Sequence, residues 1–336
     1  MLTTPLCDLL GIRVPVIQAP VAASPRLAAA VADAGGFGML GLTWTPVDQI
    51  GALVAQTRQI THGPFGANIV IAEPQHERVD ATLAAGVPLV SLFWGEPAPY
   101  IDAIHAAGAL AAFTVGSAAE ARQALDAGVD VIVAQGWEAG GHVWGEVATL
   151  ALLPAVVDAS APAPVVAAGG IADGRGLAAA LALGAVGAWV GTRFVASAEG
   201  AFHGYYKQRI VSARETDTVR TTAFGGGWPD APHRVLRNST VDRYEHEAPP
   251  PAGASDIVAR TDDGDPVARY SFMEPTDSMS GDLEALALYA GQGSGLIAEV
   301  QSVGEILARM AVAAERSLRT ALGGTDARAG DREGHP

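Results

Sequence analysis

Two short stretches concentrate the residues with chemistry to offer. In AQGWEAGGHVWGE, residues 134–146, a histidine follows the pair Gly140 and Gly141, and paired glycines on a long loop let the backbone approach a ligand closely. An imidazole there can serve as general base, hydrogen-bond donor or electrostatic partner near neutral pH, which makes His142 the candidate catalytic side chain. The other histidines keep the ordinary reading of surface or satisfied polar residues, and Glu138 reads as a carboxylate that orients its loop. The second stretch is AAGGIADG, residues 167–174, with GTRF at 191–194 close behind. Gly169, Gly170, Gly191 and Thr192 there can free backbone N–H groups to hold a phosphate without lysine or arginine. Glycine pairs in turns are more often structural, so the reading depends on where these turns lie in the fold.

A repeated phrase supplies that placement. An alanine-rich helical run stops at glycine (Gly35, Gly86, Gly108, Gly128, Gly184) and an apolar, strand-like run follows at once. The strand-like runs are VPVIQAP (14–20), FGMLGL (37–42), FGANIVI (65–71), LVSLFWG (89–95), LAAFTV (110–115), VIVAQG (131–136), PVVAAGG (164–170) and AWVGTRF (188–194). Ser24 before Pro25, Thr45 before Pro46, Ser117 with Glu120, and Asp173 read as helix N-caps. Eight βα units predict a TIM-type (β/α)₈ barrel, with an open doubly wound sheet as the pattern's other solution. In a barrel, chemistry sits at the C-terminal strand ends. Gln18 and Pro20, Asn68, Thr114, Gln135, the Gly169–Gly170 pair, Gly191 and Thr192 all fall toward those ends.

Composition fits such a scaffold. Apolar residues make up 49% and charged residues 17% of 336, which excludes a disordered chain and suits a buried parallel sheet. A net charge of −15 argues against nucleic acid and anionic membrane partners. One cysteine, Cys7, cannot form an internal disulfide, and no cluster suggests a metal, so a reducing, cytoplasmic setting is expected. The stretch through Ala23 reads as the first strand, and no segment is long and apolar enough to span a bilayer. Residues 1–212 are thus the expected barrel. Residues 213–289 are expected to form an inserted cap over its mouth, 290–322 a return segment with a C-terminal helix packing on the barrel, and 323–336 a disordered tail. Trp228, Tyr244, Tyr270 and Phe272 offer the cap apolar surface. Arg220, Arg234, Arg237 and Arg243 read as solvated or paired with nearby acids.

The segments VPVIQAPVAA, GGFGMLG, FGANIVI, AQGWEAGGH, VVAAGGIADG, VGTRF and YAGQGSGLI resemble successive signatures of the nitronate monooxygenases, formerly called 2-nitropropane dioxygenases. The arrangement is also similar to that of FMN-dependent enoyl-acyl-carrier-protein reductases and related NADH:quinone reductases. The resemblance implies FMN across the barrel mouth, with its phosphate on Gly169, Gly170, Gly191 and Thr192. It implies a ring edge near Ala19, Asn68 and Gln135, with Gly140 and Gly141 beside the ribityl chain and ring. His142 matches the family's active-site histidine. Val21 stands where the pattern commonly has methionine and Thr114 where some relatives have lysine, changes that bear on flavin reactivity. The implied reaction takes a nitronate or nitroalkane and O₂ to a carbonyl compound and nitrite. NAD(P)H-dependent reduction of a quinone or enoyl thioester is the alternative on the same scaffold, and a flavin-free phosphate-binding barrel is the alternative from another class.

Overall fold

The computed structural model describes residues 2–247 and 256–323. Eight parallel strands form one sheet: Val16–Gln18, Gly38–Gly41, Phe65–Val70, Leu89–Phe93, Leu110–Val115, Val131–Gln135, Val165–Ala168 and Gly187–Val190. The first pairs with the eighth, Val16 opposite Ala188, and a parallel bridge between Ile17 and Phe37 joins it to the second. Gln18 N–H donates to Phe37 O at 2.9 Å and Phe37 N–H to Val16 O at 3.0 Å, closing the ring into a (β/α)₈ barrel. Closure leaves these strands no free edge.

Local chemistry sets the rhythm. Gly35, Gly86, Gly108, Gly128 and Gly184 all hold φ between 72° and 98°, the left-handed conformation that ends a helix and turns the chain into the next strand. Ser24 accepts from Leu27 N–H at 3.3 Å, Ser117 from Glu120 N–H at 3.2 Å and Asp173 from Arg175 N–H at 2.9 Å. Thr45 is not a cap: the helix Val47–Ile60 starts from Pro46, and Thr45 lines the central cavity instead. Alternation along the strands divides the core. Ile17, Phe37, Met39, Leu89, Val131, Val133 and Trp189 fill the barrel, while Leu40, Ile69, Val90, Leu92 and Ile132 pack outward on helices. The strands stop short of the apolar runs. Residues beyond their C-terminal ends leave the ladder to build the mouth, and GTRF becomes the short helix Thr192–Val195 rather than more strand.

The N-terminal stretch corrects the expectation of a strand from the start. Pro5–Leu10 is a helix whose Leu6, Cys7 and Leu10 join the cluster inside the barrel, closing its N-terminal end. The Thr4 hydroxyl donates to Val186 O at 2.5 Å, tying this plug to the eighth strand. Apolar residues on successive positions suited a strand, but here they satisfy a six-residue helix buried on one side.

After the helix Gly204–Val211 come short antiparallel strands in place of a further βα unit. His233–Leu236 pairs with Thr218–Thr221 on one side and with Gly141–His142 on the other. Ile257–Arg260, Pro266–Ala268 and Ser280–Gly281 form a second small sheet. The helix Val303–Ala321 begins with a capping box of Ser302 and Glu305 and buries Ile306, Leu307 and Met310 in a cluster with Leu27, Leu177 and Phe194. The expected tail lies outside the described residues apart from Gly323. Among the described residues no helix is long and apolar enough to cross a membrane.

Candidate active site

At the C-terminal ends of the strands lies a cavity of about 840 Å³, within the range of small-molecule and cofactor sites. Ala19, Pro20, Asn68, Thr114, Gln135, Gly140, Gly141, His142, Gly169, Gly170, Gly191 and Thr192 all line it. Gln18 does not. Alternation places it with Val16, away from Ile17 and Ala19, and its fully buried amide accepts from Met39 N–H at 3.0 Å and donates to Ala19 O. It closes the barrel rather than contacting a ligand.

One wall is backbone. Gly169 and Gly170 end the seventh strand, Gly191 and Thr192 end the eighth, and Gly291 and Gly293 arrive from the return segment. Gly291 N–H donates to the Thr192 hydroxyl at 3.1 Å. Gly170 has φ +71°, and a Cβ on Gly140 would lie 2.3 Å from Gly291 N, so neither place accepts a side chain without strain or displacement. Glu138 Oε2 accepts from Thr149 N–H at 2.9 Å, and the Thr149 hydroxyl lies 3.2 Å from Gly169 O. Glu138 therefore orients the two glycine turns, as the loop reading expected. The result is a close-packed cup of glycine backbone with no lysine or arginine among the described residues of the cavity wall, a composition that fits one phosphate group held by backbone N–H groups.

The opposite wall carries His142. Gln135 grips its loop from below, donating from Nε2 to His142 O at 3.0 Å and accepting Trp144 N–H at 3.1 Å. From the cap, His142 pairs in register with His233, and Val143 N–H donates to Pro232 O at 2.9 Å. The imidazole stacks on Trp228 with ring centroids 4.0 Å apart, and Trp94, His233 and Tyr289 stand around it at 6.1, 5.4 and 5.6 Å. Its Nε2 is buried and has no hydrogen-bond partner among the described residues. Desolvation, then the nearness of His233, pushes the His142 pKa down to about 3, so the ring is neutral at pH 7. His233 is likewise pushed down to about 4, mainly by burial. Its Nε2 accepts from Phe224 N–H at 3.2 Å, which assigns the proton to Nδ1, 2.9 Å from Ala231 O. Asn68 donates to Ser91 O at 3.1 Å and keeps its amide oxygen free of other described residues.

Several groups here were not foreseen from the sequence. Trp44 and Phe93 line the cavity just past the second strand and at the end of the fourth. Trp94, with φ +64°, packs on Phe93, Trp144 and Trp228. The signal available was an aromatic residue at a strand's C-terminal end in LTW and FWG. Tyr289, His233 and Glu274 gave no local signal at all. Of the cap aromatics, Trp228 and Phe272 reach the cavity. Tyr244 and Tyr270 instead pack on each other at 6.3 Å. None of the four cap arginines lines the cavity. Arg237 pairs with Asp242 and Glu245, and Arg243 with Glu247 and Asp256. Arg220 and Arg234 lie 4.5 and 5.5 Å from the Trp137 ring, bracing the His142 loop.

The closed (β/α)₈ barrel thus carries, across one cavity, a glycine-backbone cup facing a neutral, desolvated histidine, the layout of an enzyme site at the C-terminal strand ends. The chain belongs to the nitronate monooxygenase family, whose model matches residues 3–77 and 71–312. It is 40% identical over 249 residues, 73% of this chain and 69% of the other, to (3aS,4S,5R,7aS)-5-hydroxy-7a-methyl-1-oxo-octahydro-1H-indene-4-carboxyl-CoA dehydrogenase of Mycobacterium tuberculosis. Among solved structures, FabK from Thermotoga maritima is similar at a TM-score of 0.83 and 35% identity, over 96% of this chain and 99% of that one. Nitroalkane oxidase from Streptomyces ansochromogenes matches at 0.75 and 29% identity, over 94% and 99% of the two chains. The chain is thus an oxidoreductase by family.

Proposed function

We propose that this protein is an FMN-dependent enzyme that oxidises small alkyl nitronates with O₂ to carbonyl compounds and nitrite. The observation that carries the reading is the neutral His142, its Nε2 unpartnered among aromatic rings, opposite a cup of glycine N–H groups. Gly169, Gly170, Gly191 and Thr192 would hold the FMN phosphate, and Ala19, Pro20, Asn68, Thr114, Gln135, Gly140 and Gly141 would border the rest of the cofactor. Once bound, FMN supplies the electron-accepting chemistry and its return to O₂, while the protein supplies position and field.

The residues then have distinct tasks. Trp44, Phe93, Trp228 and Phe272 exclude water and receive the alkyl part. His142, uncharged, offers Nε2 to take the α-proton of a neutral nitroalkane, or a ring N–H to steady a nitronate oxygen. Reaching Nε2 requires the aromatic wall to shift, and the nearest ring, Trp228, follows three consecutive glycines, Gly225, Gly226 and Gly227. The cavity wall offers a nicotinamide dinucleotide no cation for its phosphates.

A second reading draws on the 40% identical relative named for a carboxyl-CoA substrate: dehydrogenation of an acyl thioester. Anaerobic mixing of the holoenzyme with an alkyl nitronate, NADH and an acyl-CoA in parallel separates them. Rapid flavin bleaching by the nitronate and slow bleaching by NADH are expected. Bleaching by NADH or the thioester alone overturns the nitronate reading.

A further inference from the structure

Glu274 is a titratable group of the cavity that the reaction above leaves unused. It sits in the cap two residues after Phe272, half-buried, and lines the cavity wall. It makes no hydrogen bond or ion pair with another described residue. Its neighbours among the cap acids are provided for: Asp256 has Arg243 and Arg269, Glu245 has Arg237, and Glu284 receives Ser239 N–H at 2.9 Å. The two nearby phenols are already committed. The Tyr206 hydroxyl donates to Tyr289 O, and the Tyr289 hydroxyl donates to Phe272 O at 2.8 Å. A buried carboxyl whose donor is its own backbone N–H keeps acceptor capacity for whatever enters the cavity.

We propose that Glu274 sets substrate choice by the charge of the substrate's tail, admitting a neutral tail with a carbonyl or hydroxyl and refusing a carboxylate or phosphate. The proposal rests on the reading above only in placing the substrate in this cavity. Asp262 and Asp277 line the same wall, and no lysine or arginine does. On the adjacent helix Gly204–Val211, Lys207 is held by Gly200 O at 2.6 Å and influenced by the Asp277 charge, and His203, just before the helix, accepts Tyr205 N–H at 3.0 Å. Burial keeps the Tyr206 and Tyr289 phenols protonated far above neutrality, and His142 is neutral there. Glu274 itself changes charge near neutral pH, because burial pushes its carboxyl up to about 7. Below that it donates a hydrogen bond to a tail oxygen. Above it, a carboxylate faces any anionic tail across a partly desolvated gap, where like-charge repulsion is worth about tenfold or more in affinity.

Calorimetric titration of the purified holoprotein with hexanoate and hexanamide tests this without any nitronate, so a failure of the nitronate chemistry leaves the result readable. At about pH 8 the amide is expected to bind about tenfold more tightly than the carboxylate, and at about pH 6 the preference should shrink. Glu274→Gln should abolish the preference at the higher pH, while Asp262→Asn and Asp277→Asn retain it. The proposal is overturned if the preference survives Glu274→Gln, if either aspartate variant removes it, or if neither ligand binds.

Discussion

The two walls of the cavity are built from different materials. The wall proposed to hold the cofactor is glycine backbone, fixed by turns at the ends of the seventh and eighth strands and by the segment carrying Gly291 and Gly293. The wall proposed to receive the substrate is side chain: His142, Trp44, Trp228, Phe272 and Glu274, drawn from the barrel loops and from residues 213–289. Backbone N–H groups recognise a feature common to many phosphorylated ligands, whereas aromatic and acidic side chains can be exchanged without disturbing the turns. On the proposed function, ligand grip and substrate choice are separable, and variants on each wall should fail differently.

The largest effect is expected on the backbone wall. Gly170→Leu places a side chain at φ +71° in the cup and should yield folded protein with almost no flavin, measured as the ratio of visible to ultraviolet absorbance. Full flavin content in a well-folded Gly170→Leu protein would put the phosphate elsewhere. Next comes His142→Ala on the side-chain wall, which should keep its flavin and lose about 10² to 10⁴ in turnover, the usual contribution of a positioned acid-base group. If that variant instead purifies colourless, the two walls are not separable. A third change lies outside both. Leu6→Ala in the barrel plug removes a fully buried side chain and should cost about 2–5 kcal/mol of stability by denaturant titration. Its flavin content and turnover should match wild type at temperatures where it stays folded.

The same division explains what the sequence could reveal. Gly35, Gly86, Gly108, Gly128 and Gly184 announced the βα rhythm because a helix C-terminus and its left-handed glycine are local events. The cup was legible for that reason, since Gly169 and Gly170 follow an apolar run at once. Gln18 was misplaced because a strand end alone does not tell which face of the alternation a residue takes, and a shift of one residue reverses the answer. Pro5–Leu10 was read as strand because six apolar-rich residues fit either period. His233 and Tyr289 meet His142, and Trp44 and Glu274 share its cavity, only through the closed barrel and the folded 213–289 segment, in a juxtaposition that no spacing encodes. His142 itself was found through its two preceding glycines, but its neutral state depends on burial and on His233, which lies far away in the chain.

That neutral state leads to the smallest and most specific expectation, a stability profile in acid shaped by opposing groups of the substrate wall. His142 and His233 are held near 3 and 4 in the folded protein, below the ordinary value of about 6.5 they recover on unfolding. As pH falls from about 6.5, the unfolded chain takes up protons that the folded chain refuses, so their contribution is present above that value and is lost toward pH 4. Protonating His233 also removes the acceptor for Phe224 N–H. Glu274 acts in the other direction. Its folded value of about 7 lies above the ordinary carboxyl value of 4.5, so the folded protein takes that proton first and gains stability as pH falls across the interval. Two histidines against one carboxyl predict a net fall in melting temperature between about pH 6.5 and about pH 4.5, each proton being worth at most about 1.4 kcal/mol per pH unit. His142→Asn should flatten the fall, and Glu274→Gln should steepen it. Thermal melts of the three proteins across that range decide the point: a wild-type fall left unaltered by His142→Asn would mean that the folded imidazole takes up its proton as readily as the unfolded one, near the ordinary value of about 6.5, and is not held neutral by burial.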